Sequence, residues 1–143
     1  MKKISPGFTL IELILVIGLI AIIGATASPF LSNFILRNNY ETTVDKLVST
    51  LRKAQQYSIQ GKQDSVWGAC LSANVIRLYR GSCAAPIFAE DFDVPSTITI
   101  TGFTDTTFSR LRGEPSTALA ITLTSAIGTK AVTVNAAGMI TGN

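Results

Sequence analysis

The pattern of apolar and polar positions changes character twice along the chain. Over residues 8–28 apolar side chains follow one another almost without a break, and Glu12 is the one charge among 21 residues. A helix of that length rises about 30 Å, the thickness of the hydrocarbon core of a bilayer. Beyond Pro29 the pattern turns periodic. Val44, Leu47, Val48, Leu51, Ala54 and Ser58 recur at three- and four-residue intervals, while Asp45, Lys46, Arg52, Lys53 and Gln56 fall mostly on the other side. That spacing predicts an amphipathic helix within 29–61. Gly61 is its expected stop, because a left-handed residue there ends a helix without a Cβ penalty. Past Gly61 short runs rich in β-branched and aromatic residues take over, at 65–71, 75–80, 97–103, 118–124 and 131–135, separated by turn residues. These read as strands, with a turn at 72–74 and with Ile98 and Ile100 facing inward. The expected fold is α+β, a long amino-terminal helix whose first half (8–28) spans a membrane and whose second half packs on an antiparallel sheet within 62–143.

Composition then narrows the function classes. A chain of 143 residues is one ordinary domain with at most one appended element. Its net charge of +3 includes Lys2 and Lys3, ahead of the apolar run; without them ten Lys and Arg face nine Asp and Glu, a weak case for nucleic acid. There is no histidine. This removes the usual general base, the commonest metal ligand and every triad that depends on imidazole, so a non-enzyme without a cofactor is expected.

The apolar run itself has competing readings. Two lysines before it and Arg37 after it orient it amino end inward, with the remainder exported. A secretory signal would be cut after Ala27, in the small-residue stretch Ala25, Thr26 and Ala27. Neither a signal nor a plain anchor has a reason to carry Glu12, which costs roughly 2.5 to 3.5 kcal/mol near the centre of a membrane helix. An ionisable residue inside a membrane segment points to function, and its partner has to be named.

Lys2 and Lys3, then Gly7, Phe8, Thr9, Leu10, Ile11, Glu12, Leu13 and a long apolar run, resemble the processing and methylation motif of type IV pilins and of the pseudopilins of type II secretion systems. The resemblance implies a leader over residues 1–7, cut between Gly7 and Phe8 by a prepilin peptidase on the cytoplasmic face, and N-methylation at Phe8. It implies a subunit held in the inner membrane, then drawn by an assembly platform into a periplasmic or extracellular filament with other pilin subunits. Glu12 of one subunit would meet the Phe8 amine of its neighbour, since a buried carboxylate without a countercharge costs several kcal/mol. Pro29 falls where family members carry a helix-kinking proline. The region from Trp67 to Gly81, with the later stretch ending in Gly138 and Met139, is similar to H-type pseudopilins and FimT-like minor pilins. Many of those have a basic residue where this chain has Met139.

Other features carry bland expectations beside sharp ones. Glu90, Asp91 and Asp93 could ligate calcium, or form a solvated loop before Pro95. Lys130 reads as a hairpin-turn lysine. Arg77, Arg80, Arg110 and Arg112 could gather to bind DNA phosphates, the feature a DNA-uptake minor pilin would need, or scatter as solubilising charge. Cys70 and Cys83, if bridged, close a loop of about 14 residues, worth roughly 3 kcal/mol. A tight turn at 72–74 puts Cys70 opposite residues near Ile76, about 23 Å of strand from Cys83. A bridge then needs a wider turn, or a chain that doubles back at Gly81 and Ser82; two independent thiols are the alternative.

Overall fold

The computed structural model describes residues 7–142, with residues 26–30 described by backbone alone. The chain divides into two units, Met1–Ile35 and Leu36–Asn143. Helix α1 (Leu10–Ile59) begins in the first and ends in the second.

In the first unit the backbone of residues 7–9 is not helical. Thr9 caps the start of α1: its hydroxyl oxygen accepts the Glu12 N–H at 3.4 Å, and its carbonyl accepts the Leu13 N–H at 3.2 Å. Leu10, Ile11, Leu13, Ile14, Val16 and Ile17 are between 42% and 76% exposed. Leu15 is exposed as well, and at 100° per residue these seven positions leave no arc wider than 100° without an apolar side chain, so this part of α1 is apolar on nearly every side. Among the described residues no helix is long and apolar enough to cross a membrane. The apolar part whose side chains are described, residues 10–25, rises about 24 Å. Positions 26–28 of the expected span, Ala27 of the alternative cleavage site among them, lie outside the described side chains. So does the kink expected at Pro29, and the leader residues 1–6 lie outside the described residues altogether.

In the second unit the expected amphipathic stripe is the core. Tyr40, Val44, Leu47, Leu51, Ala54 and Ser58 are buried, and Val48 partly so. The helix stops as expected, with Gly61 in the left-handed region at φ 60° and its N–H bonded to the Ser58 carbonyl at 3.0 Å. Buried Ser58 ties the helix to the first strand, its hydroxyl accepting the Trp67 N–H at 2.9 Å and donating to the Trp67 carbonyl at 3.2 Å.

The strands make two antiparallel sheets where one was expected. β1 (Trp67–Ser72), β2 (Val75–Gly81), β3 (Pro86–Asp93) and β5 (Thr106–Phe108) lie in the order β3-β2-β1-β5; β4 (Ile98–Thr101), β6 (Leu119–Ser125), β7 (Gly128–Val134) and β8 (Ile140–Gly142) lie in the order β4-β6-β7-β8. Both sheets put apolar rows into one core with α1: Trp67, Ala69, Ile76 and Leu78 from the first, Ile98, Ile100, Ile121, Leu123 and Val132 from the second. Ile98 and Ile100 face inward as the alternation predicted. The chain interleaves the sheets, since β4 joins the second before β5 returns to complete the first.

Three strands depart from the expectation. The acidic stretch read as a solvated loop or calcium site is strand β3, and alternation sends Glu90 to Lys53 of α1 and Asp91 to Arg77 of β2. The cluster is thereby divided, and among the described residues no group of acidic, histidine or cysteine side chains could hold a metal. β5 and β8 were not foreseen. Lys130 lies within β7 rather than in a turn, paired to Glu41 of α1; the turn is formed by Ala126 and Ile127 between Ser125 and Gly128.

Candidate functional site

Two regions bear on function, and each is built by its own local chemistry. At the amino end, Gly7 has open space where a Cβ would stand, and Phe8 is 80% exposed. Glu12 occupies the third helical position after the Thr9 cap, one turn into a helix whose first amides carry partial positive charge. Thr9 followed three residues later by Glu12 is the sequence form of a capping box, the signal by which the residues themselves mark this helix start. The Glu12 carboxylate is exposed and has no ion-pair partner among the described residues. Gly7, Phe8 and Glu12 are thus brought within six residues of chain, around the point where non-helical backbone becomes helix.

The second region is the face of the first sheet turned away from α1. Register places Cys70 opposite Arg77, and Arg77 opposite Asp91. The β1–β2 turn is tight, its two residues Ala73 and Asn74 both at positive φ, as the right-handed twist of a hairpin favours. The wider-turn alternative is therefore excluded, and the chain doubles back. Gly81 at φ 99°, beside a register shift between Arg80 and Gly81, turns residues 82–85 back over the sheet. Arg77 donates from Nη1 to the Cys83 carbonyl at 3.1 Å, and Cys70 and Cys83 are disulfide-bonded with Cα atoms 6.3 Å apart.

Arg77 also donates two hydrogen bonds to Asp91, at 2.7 and 2.8 Å, which hold the Asp91 carboxyl below its usual range and raise the guanidinium further. Next to this row the ring of buried Tyr79 lies over Gly68, where a Cβ would come within 2.5 Å of it. Tyr79 donates its hydroxyl to Asp105, and burial, reinforced by that carboxylate, pushes the phenol well above its ordinary value.

The four arginines considered for DNA do not form one surface. Arg77 and Arg80 alternate to opposite faces of β2, and Arg77, Arg110 and Arg112 are paired with Asp91, Asp64 and Glu114. At the carboxyl end of α1 the sequence reading missed a junction. Gln55 donates from Nε2 to the Gly113 carbonyl at 2.8 Å and to the Gly138 carbonyl at 2.7 Å. Gly138, at φ 83°, approaches so closely that a Cβ there would sit 2.4 Å from the Gly113 oxygen. A bulky side chain has no room at Gly138, whatever residue comes next in sequence.

No family model matches the chain, and neither a curated protein nor a solved structure matches it.

Proposed function

We propose that this chain is a pilin-like subunit of a type IV pilus or a secretion pseudopilus. It is held in the inner membrane through the first part of α1, cut between Gly7 and Phe8 by a prepilin peptidase, methylated at Phe8 and assembled with other such subunits into a helical filament. The observation that carries this reading is the exposure of apolar side chains on nearly every side of residues 10–17. Such a helix needs an apolar surrounding, either lipid or the helices of neighbouring subunits. Glu12 in such a surrounding needs a countercharge, and the new amine at Phe8 of a neighbour supplies one. The non-helical backbone of residues 7–9 supports the reading too, because it leaves the bond to be cut outside the hydrogen-bonded helix.

Mass spectrometry of the chain purified from its native membrane tests this. A mature amino terminus at methylated Phe8 is expected, and Gly7→Leu should leave an uncut precursor. A mature chain starting at Ser28 would overturn the proposal in favour of a released, soluble domain.

A further inference from the structure

We propose that residues 109–114 form a knob that seats in a groove along α1 of a second copy of this chain. The contact deepens the filament reading and rests on it for its use, although both surfaces belong to Leu36–Asn143. Leu111 is the most exposed large apolar side chain among the described residues, at 86%. Its backbone stands at φ 70°, and the Arg112 N–H bonds to the Arg110 carbonyl at 2.9 Å across it. This is a γ-turn of the rarer, strained hand, and a branched side chain at positive φ is an outlier.

The flanks fasten the strain in place. Ser109 donates its N–H to the Glu114 carbonyl at 2.8 Å, accepts the Glu114 N–H on its hydroxyl at 3.0 Å, and accepts the Gly113 N–H on its carbonyl at 3.0 Å. Gln55 holds Gly113 from below. A stiff loop thus projects an apolar tip into solvent, with Arg112 and Glu114 beside it, both exposed and 3.6 Å apart.

The groove has a volume of about 550 Å³ and runs along α1, with Val44 and Val48 at its floor and Asp45, Ser49 and Arg52 on its rim. It is several times larger than a leucine side chain. Lys53 and Lys130, which also line it, are paired to Glu90 and Glu41. Asp45 and Arg52 are exposed and have no ion pair among the described residues. They stand two turns apart, about 10 Å along the axis. As Leu111 seats, Arg112 and Glu114 exchange their exposed 3.6 Å pair with each other for new partners on the groove, Arg112 for Asp45 and Glu114 for Arg52. Because knob and groove are different surfaces of one molecule, the contact is head-to-tail, and repetition extends it into an open helical array wherever the rotation per copy does not close a ring.

The test uses the full-length chain in detergent micelles, which cover the apolar helix, with Leu111→Cys and Ser49→Cys combined and mildly oxidised. A ladder of dimers, trimers and higher species is expected, whereas either single variant gives dimers at most. A double variant that stops at dimers overturns the contact. In the same background Asp45→Lys or Arg112→Glu should each weaken the ladder about tenfold, as expected for a close interfacial charge pair. The two together should restore it, and failure to restore also overturns the pairing. If Leu111→Cys forms no ladder with Ser49→Cys but is shielded from maleimide by phosphatidylglycerol vesicles, the tip belongs on a lipid surface and the proposal falls. A chain matured at Phe8 without a ladder sinks this contact alone; a ladder from a chain starting at Ser28 keeps the contact and sinks the filament reading.

Discussion

Glu12 sits where two physical demands meet. As the third residue after the Thr9 cap it carries negative charge at the positive end of a helix, a local stabilisation of some tenths of a kcal/mol. As the one charge in an apolar segment it is a candidate partner for a neighbour's amine. The two roles separate on substitution, because glutamine serves a capping box as glutamate does but carries no charge. Glu12→Gln should therefore keep the helix, measured by circular dichroism in micelles, yet enter filaments poorly in an electron-microscopy count. If it polymerises like the wild type, the charge pairing is wrong and the local role suffices. The local role was legible in the spacing of Thr9 and Glu12, while the charge within an apolar run is what motivates the proposed one.

At the level of elements, legibility in the sequence depends on what periodicity measures. The buried stripe of α1 and strands β4, β6 and β7 announced themselves through a repeating face, β1 and β2 through β-branched and aromatic residues between turn signals, and the helix stop through Gly61. β3 did not, since as an edge strand it is exposed along most of its length and its acidic and apolar residues obey no single face. β5 and β8, three residues each, are too short to show a period. Nor does a period name a strand's partner, so two sheets read as one. The bridge between Cys70 and Cys83 was decided by the conformation at Gly81, which sequence permits but does not dictate. Alkylation of the unreduced, denatured protein should add no label, and uptake of two labels would mean that no bridge exists. Replacing both cysteines by serine should lower the urea unfolding free energy by about 3 kcal/mol.

Over the whole molecule, charge ties the elements together more than it marks a ligand. Lys53 and Glu90, Lys130 and Glu41, and Arg110 and Asp64 each join the helix or its end to a strand or loop. Two linked titrations predict how stability varies with pH. The Asp91 carboxyl is held below its unfolded value of about 3.9 by Arg77, so its contribution is present above that pH and lost as pH falls further. Tyr79 is pushed above its unfolded value of about 10, so stability falls as pH rises past 10 and the unfolded chain ionises first. Thermal midpoints should decline at both ends, with Asp91→Asn flattening the acid limb and Tyr79→Phe the alkaline one. Unchanged limbs in these variants would assign the pH dependence to other groups.

The interleaving of the sheets also fixes a timetable. A chain made from its amino end completes β1, β2 and β3 as neighbours, but its next strand, β4, has no partner until β6 is made, some 20 residues later. Meanwhile β5 crosses back to close the first sheet on β1. During synthesis β4 is therefore a waiting edge, with free backbone groups that any passing strand could take. Because β4 and β5 are consecutive and belong to different sheets, neither sheet can peel away without dragging on the other. The two sheets should therefore gain and lose their protection against hydrogen exchange together, and separate exchange of one sheet would show that the connection between β4 and β5 is slack.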